Sequence, residues 1–298
     1  MLSWSNQVTL FQQLISDTDA TNLLMGKTLI NQGQRRLQAI LGLYYSEETR
    51  TFATVASQLA YVLPENFRSL TNLYVTSGTT QYEATLIQDD ELWRQMQSAT
   101  TQQTSNYLQF CFVRRNRIEL YPIPSSALTA TIIYQTMAKD LSIDDYTTGT
   151  ITTLANAGTA VTGDSSVWTS AMVGRYFKID ADGEWYKISA FGTTTTLTLD
   201  SAYQGVAIAA GTSAYTIGQM PISPPETHEL AVYYAVWKYF LFRKDVQMAR
   251  EFERMWKEGV SEAEAAWANR SSSNVTKGYP YASRRRAVNP NMFPTGMT

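Results

Sequence analysis

A run from Ser223 to Phe242, SPPETHELAVYYAVWKYFLF, constrains the fold more than any other stretch of the chain. Pro224 and Pro225 lie where a first helical turn has no use for its N–H groups, and Ser223 with Glu226 has the spacing of a reciprocal cap. Leu230, Tyr233, Tyr234, Trp237, Phe240 and Leu241 then recur at three- and four-residue steps, and Ala231, Val232, Ala235 and Val236 make much of the remaining circumference apolar. Such a helix requires cover on several sides, from its own chain or from neighbouring copies. Its length and its content of Tyr, His228 and Lys238 argue against a membrane span.

Upstream, Thr9 and Gln12 have capping-box spacing before Leu10, Phe11, Leu14 and Ile15. Asp19 is placed to begin a second helix striped by Leu23, Leu24, Ile30, Leu37 and Leu41, in which Gly33 is a weakening without being a stop. Glu47 and Glu48 read as solvated surface. From residue 50 the period changes to that of strands: TFATVASQLAYVLP, a hairpin turning at Gly78, a pair flanking Arg115–Arg117, and LTATIIYQTMA, with Asp89 to Glu91 opening a brief helix before Trp93. Cys111, in the apolar run LQFCFVRR, reads as a buried thiol. One cysteine excludes an intrachain disulfide framework and fits a reducing compartment. The first residues show no basic start or cleavage signal of a secretory peptide.

Residues 149–218 are rich in Thr, Val, Tyr and Gly with almost no helix punctuation, which predicts a small β-barrel or sandwich inserted at a tolerant turn. Val173, Tyr176, Phe177, Ile179, Trp185, Tyr186 and Ile188 are its candidate core. The expected class is therefore α+β: a helical bundle, an attached β region and an inserted β-domain. Its divisions are 1–49 (helices), 50–148 (β region), 149–218 (insertion), 219–268 (helices) and 269–298 (an extended arm). In the second helical part, Asp245 starts a helix that Gly259 ends, and Ser261 with Glu264 restarts it.

Chemical motifs are few. Asp180-Ala-Asp182-Gly183-Glu184 has its glycine too early for a calcium loop and reads as a β-turn, while His228 lacks the companions of a transition-metal site. Asp144 and Asp145 are either half of a carboxylate site or a domain boundary. No nucleophile elbow, phosphate loop or dinucleotide fingerprint is present, so the expectation is a non-enzyme with no cofactor and no metal. The 24 basic and 26 acidic residues give a net charge of -2, which excludes a general affinity for nucleic acid.

That charge is unevenly spread. Residues 270–298 hold five of the basic side chains (Arg270, Lys277, Arg284, Arg285 and Arg286) and none of the acids, so residues 1–269 carry a net -7. The segment is either a solubilising tail or an arm that orders on assembly, with Tyr279, Tyr281 and Phe293 as apolar anchors and the arginines meeting acids or phosphates.

Several stretches resemble the head-to-tail adaptor, or neck, proteins of tailed bacteriophages, especially tail tubular adaptors. They are YVLPENFR (Tyr61 to Arg68), RIELYPIP (Arg117 to Pro124) and ELAVYYAVWKYF (Glu229 to Phe240). GRYFKID (Gly174 to Asp180) followed by GEWYKI (Gly183 to Ile188) resembles an accessory β-domain found inserted in some of them. The resemblance runs through nearly the whole chain in order. It implies a virion protein at the head-to-tail junction, synthesised in the host cytoplasm. It further implies a homo-oligomeric ring of twelve copies, portal and tail nozzle or tail tube proteins as partners, double-stranded DNA passing through a channel, and no membrane. The proposed assembly contacts are Leu230, Tyr233, Trp237, Phe240, Tyr279, Tyr281, Arg284, Arg285, Arg286 and Phe293. The competing expectation is a peripheral phage protein that binds host-surface carbohydrate through aromatic rings exposed on the insertion.

Overall fold

The computed structural model describes residues 1–42, 45–98 and 103–275. Ser3 caps the first helix, α1 (Trp4–Ile15), accepting from the Asn6 N–H at 3.3 Å. The helix starts ahead of the expected Thr9 cap because Trp4, Val8 and Phe11 already form its buried stripe. Thr9 lies inside it and donates its hydroxyl to the Ser5 carbonyl. Asp19 caps α2 (Ala20–Leu41) as its sequence predicts, accepting from Thr21 and Asn22.

The β region holds β1 (Glu47–Ala53), β2 (Ala60–Val62), β3 (Phe67–Ser77), β4 (Thr80–Glu83) and β5 (Thr85–Ile87). After α3 (Asp90–Gln97) come β6 (Thr104–Ser105), β7 (Phe110–Arg114), β8 (Arg117–Tyr121), β9 (Ile123–Pro124) and β10 (Thr129–Thr136). Two four-stranded sheets, ordered β1-β10-β3-β4 and β2-β8-β7-β5, share one core. Strand β10 shows why: Ala130, Ile132, Tyr134 and Thr136 alternate inward, the period of a half-buried strand. Helix α3 covers the other face of the second sheet with Trp93, which stacks on Phe112 and donates its indole N–H to the buried Glu119 carboxylate at 2.6 Å.

Residues 150–218 form β11 (Thr150–Leu154), β12 (Ala160–Asp164), β13 (Tyr176–Ile179), β14 (Trp185–Thr193), β15 (Thr196–Leu199), β16 (Ile208–Ser213) and β17 (Tyr215–Gly218). They make one curled antiparallel sheet in the order β16-β11-β12-β15-β14-β13-β17, a half-barrel with β16 and β17 as its edges. Of the expected small β-barrel or sandwich, the curled antiparallel sheet is what is found; β16 and β17, separated by Ala214 alone, are one bent run that pairs with β11 at one end of the order and with β13 at the other. The sheet wraps its own core of Trp168, Phe177, Ile179, Tyr186, Ile188 and Tyr215 among others, whereas Val173 is exposed and Tyr176 and Trp185 are half-buried.

The chain then returns to helices. Ser223 is not the side-chain cap expected of it: a 3-10 turn at Pro225–Thr227 occupies the positions it would serve, and α4 begins at His228 and runs to Phe242. Helix α5 (Val246–Val275) is continuous. It passes through Gly259, read from sequence as a stop, because a Cβ there would collide with Leu230. The glycine serves a close helix crossing rather than a terminus. The helix also continues to Val275, into the segment expected to be extended from residue 269.

Candidate assembly surface

Helix α4 is the centre of the helical body. Its buried residues Leu230, Ala231, Val232, Ala235, Val236 and Tyr239 pack with Trp4, Phe11, Ile30 and Leu37 of α1 and α2 and with Phe252, Trp256 and Val260 of α5. The cover demanded by its apolar circumference thus comes largely from its own chain. Of the proposed contacts, Leu230 is buried against Gly259. Tyr233 lies 6.3 Å from Phe252, Phe240 stacks on Phe252, and Trp237 stacks on Trp256, with the Lys238 ammonium 3.7 Å from the Trp237 ring centroid. The last three are half-buried. The apolar surface left open lies instead at the α4–α5 turn, where Leu241, Phe242 (70% exposed), Val246 and Met248 flank Arg243 and Lys244. Tyr279, Tyr281, Arg284, Arg285, Arg286 and Phe293 lie outside the described residues.

A second feature of the body has no apolar signature. Asn31, Gln34 and Gln38 form a polar row on α2. Asn31 exchanges two hydrogen bonds of 2.9 Å with the Leu141 backbone. Gln38 donates to the Thr136 carbonyl at 2.5 Å and accepts from the Ala138 N–H, and Gln34 binds Gln7 on α1. Outside them, Arg35 clasps Asp140 with both ends of its fork. This row holds the strand-like segment from β10 toward the half-barrel along α2. Reading α2 for its apolar stripe alone missed it, although the three- and four-residue spacing of long amides was there to find.

At the base of the half-barrel, Asp144 and Asp145 act as a joint. Ser3 donates its hydroxyl to Asp145 at 2.6 Å, and Ser5 Oγ accepts from the Asp145 N–H. Arg175, 8% exposed, donates to the Asp144 and Ile217 carbonyls. Burial pushes the Asp145 carboxyl up from its ordinary value and the Arg175 guanidinium down. His228 ties the same end of α1 to α4. Nε2 lies 2.9 Å from the Ser223 carbonyl oxygen, Nδ1 lies 3.0 Å from the Leu2 backbone nitrogen and 3.1 Å from the Leu2 carbonyl oxygen, and burial holds the pKa of the ring down.

The remaining chemical candidates are absorbed into structure. Burial pushes the Cys111 thiol up to about 12, which denies it thiolate character. Gly183, at φ +81°, turns the chain between β13 and β14, and Asp180 accepts from Thr216. Among the described residues no group of His, Cys, Asp or Glu could hold a metal, and no helix is long and apolar enough to cross a membrane. Of the rings a sugar platform would use, Trp168 and Tyr186 are buried core, and Trp185 lies half-buried beside the Lys178 ammonium.

What remains is a protein whose polar side chains bind its own parts together. The sequence profile described as SU10 adaptor protein matches residues 7–159, from within α1 to the turn after β11. The chain belongs to this family of phage head-to-tail adaptors. No curated protein matches it. The SU10 adaptor match takes in both sheets of the β region, the polar row of α2 and the first strand of the half-barrel, while α4, α5 and most of the half-barrel lie beyond it. Membership carries a structural role in the virion at the head-to-tail junction, with portal and tail components as partners.

Proposed function

We propose that this adaptor forms a closed ring, of twelve copies by family resemblance, that seats on the portal, receives the tail below and leaves a central channel for double-stranded DNA. The observation that carries the reading is the SU10 adaptor match across α1, α2 and the β region. The open apolar turn at Leu241, Phe242, Val246 and Met248 supports it, because large exposed apolar residues grouped in one place are the usual mark of an interface. Tyr233, Trp237 and Phe240 keep part of their surface free of α5 and extend this candidate contact along α4.

Passage of DNA asks for weak adhesion. A chain with a net -7 over residues 1–269 suits a sliding wall better than a binding one, since a positive lumen would release counterions and hold the duplex in a salt-dependent grip. The half-barrel projects from the α1 end of the body and is proposed as an outer decoration or tail contact.

Native mass measurement of the purified protein, alone and with portal, tests the reading. The expected result is a closed cyclic species in at least the portal mixture. A chain that stays monomeric beside assembled portal overturns it.

A further inference from the structure

Helices α4 and α5 run antiparallel, as the pairs Phe240 with Phe252 and Trp237 with Trp256 show. Between the first turns of α4 and the second half of α5 they leave a groove of about 550 Å³. Its floor is apolar, with Leu230, Met255 and Ala263, and its rim carries Glu226, Glu258 and Glu262 with no lysine or arginine among the lining residues. Arg254 reaches Glu258 and Glu226 accepts the Trp267 indole N–H at 3.0 Å, but among the described residues Glu226 and Glu262 enter no ion pair. An apolar strip edged by carboxylates fits an extended segment that carries aromatic rings and guanidinium groups.

The sequence contains such a segment. Between Lys277 and Phe293 it places Tyr279, Tyr281 and the run Arg284, Arg285 and Arg286, without an acid. We propose that the groove receives this segment from a second copy of the chain. Helix α5 continues past the groove to Val275, roughly 12 Å beyond Trp267 at the helical rise, so its own segment would have to reverse direction to enter its own groove. The ten residues from 276 to 285 span up to about 33 Å when extended, enough to reach an adjacent subunit. An acidic groove and a basic segment on every copy make a head-to-tail contact, the kind that closes into a ring when its rotation allows. The inference rests on the ring reading and gives it a specific joint.

Two single-cysteine exchanges test it. Protein carrying Glu262→Cys is mixed with protein carrying Arg285→Cys under mild oxidation, and a third preparation carries both. Glu262 is exposed, so its exchange leaves the fold intact, and the native Cys111 is buried and contributes little background. The expected result is a disulfide-linked pair of twice the chain mass from the mixture, with a yield that falls several-fold on going from about 0.05 M to about 0.5 M salt, as screening of rim charges requires. A double variant that closes only within its own chain overturns the proposal in favour of self-docking. A closed ring by native mass with no disulfide in the mixture overturns the groove and leaves the ring reading standing. A disulfide-linked pair without any ring upholds the groove and retires the ring.

Discussion

Tyr146 and Ile217 exchange a pair of backbone hydrogen bonds, Tyr146 N–H to Ile217 at 2.9 Å and Ile217 N–H to Tyr146 at 2.8 Å. The chain therefore enters and leaves the half-barrel side by side, and the core enclosed between those points is drawn from that segment, with Tyr146 at its edge. Segments whose ends meet at the surface are the ones that tolerate removal. Replacing residues 149–216 with a short Gly/Ser linker, which keeps the Tyr146–Ile217 bridge, is expected to leave the helical body and β region folded and able to join portal. Thermal unfolding and ring formation read the outcome. Loss of a cooperative transition in the shortened chain would make the half-barrel integral to the adaptor.

Two glycines in the helical body separate close approach to backbone from close approach to a side-chain end. A Cβ on Gly33 would lie 2.7 Å from the Ala231 carbonyl oxygen and 3.1 Å from its Cα, atoms of α4 that can move only with the helix. At Gly259 the clash is with the Leu230 methyl, which can turn. Each Gly→Ala exchange gains about 1 kcal/mol in helix propensity and loses about 1–3 kcal/mol to overpacking. Gly33→Ala is therefore expected to destabilise by roughly 2 kcal/mol, and Gly259→Ala to be near neutral. Equal losses in denaturant titrations would contradict the distinction.

His228 links stability to acidity. Burial lowers its folded-state pKa below the ordinary value near 6.5, although the hydrogen bonds at Ser223 and Leu2 oppose the shift. Below about pH 6.5 the unfolded chain takes up a proton that the folded ring resists, so this residue's contribution is full above that pH and declines as pH falls through the folded pKa. His228→Gln is expected to flatten the loss of stability between roughly pH 6.5 and 5, while costing about 1–3 kcal/mol at neutral pH if its amide fails to reach both backbone partners. An unchanged slope in that window would assign the titration elsewhere.

The parts legible in the sequence were those with a strong period or a cap: α2 from Asp19, the hairpin at Gly78, α3 behind Asp89, the alternation of β10 and the apolar body and end of α4. Misread boundaries had local signals that tertiary packing overrode. Thr9 has cap spacing, but Trp4 had to be inside the helix to bury with Phe11, and Gly259 has the look of a stop but lies inside α5 where it packs closely on the Leu230 side chain. The joints were the least legible. Nothing in the isolated words Asp144-Asp145 and Gly174-Arg175 says that the two meet, since their contact is made by the return of β17 beneath α1.

Arg175 is the residue on which that joint depends most. Its guanidinium holds two carbonyls, of Asp144 and Ile217, while its Nε and the Asp145 Oδ1 are buried without hydrogen-bond partners. Exchange to Met keeps the packing of the stem but takes its donor from the Asp144 carbonyl, leaves the Ile217 carbonyl with the Tyr146 N–H alone, and removes the positive charge beside a carboxyl already disfavoured by burial. The expected cost is about 2–3 kcal/mol, less than for a fully buried ion pair because Asp145 is half-exposed. Asp145→Asn alone should cost less, since an amide oxygen still accepts from Ser3. If the two charges support each other across the joint, Arg175→Met with Asp145→Asn together will cost less than the sum of the single exchanges by roughly 1 kcal/mol. Strict additivity in a double-mutant cycle would mean that Arg175 acts through its carbonyls alone.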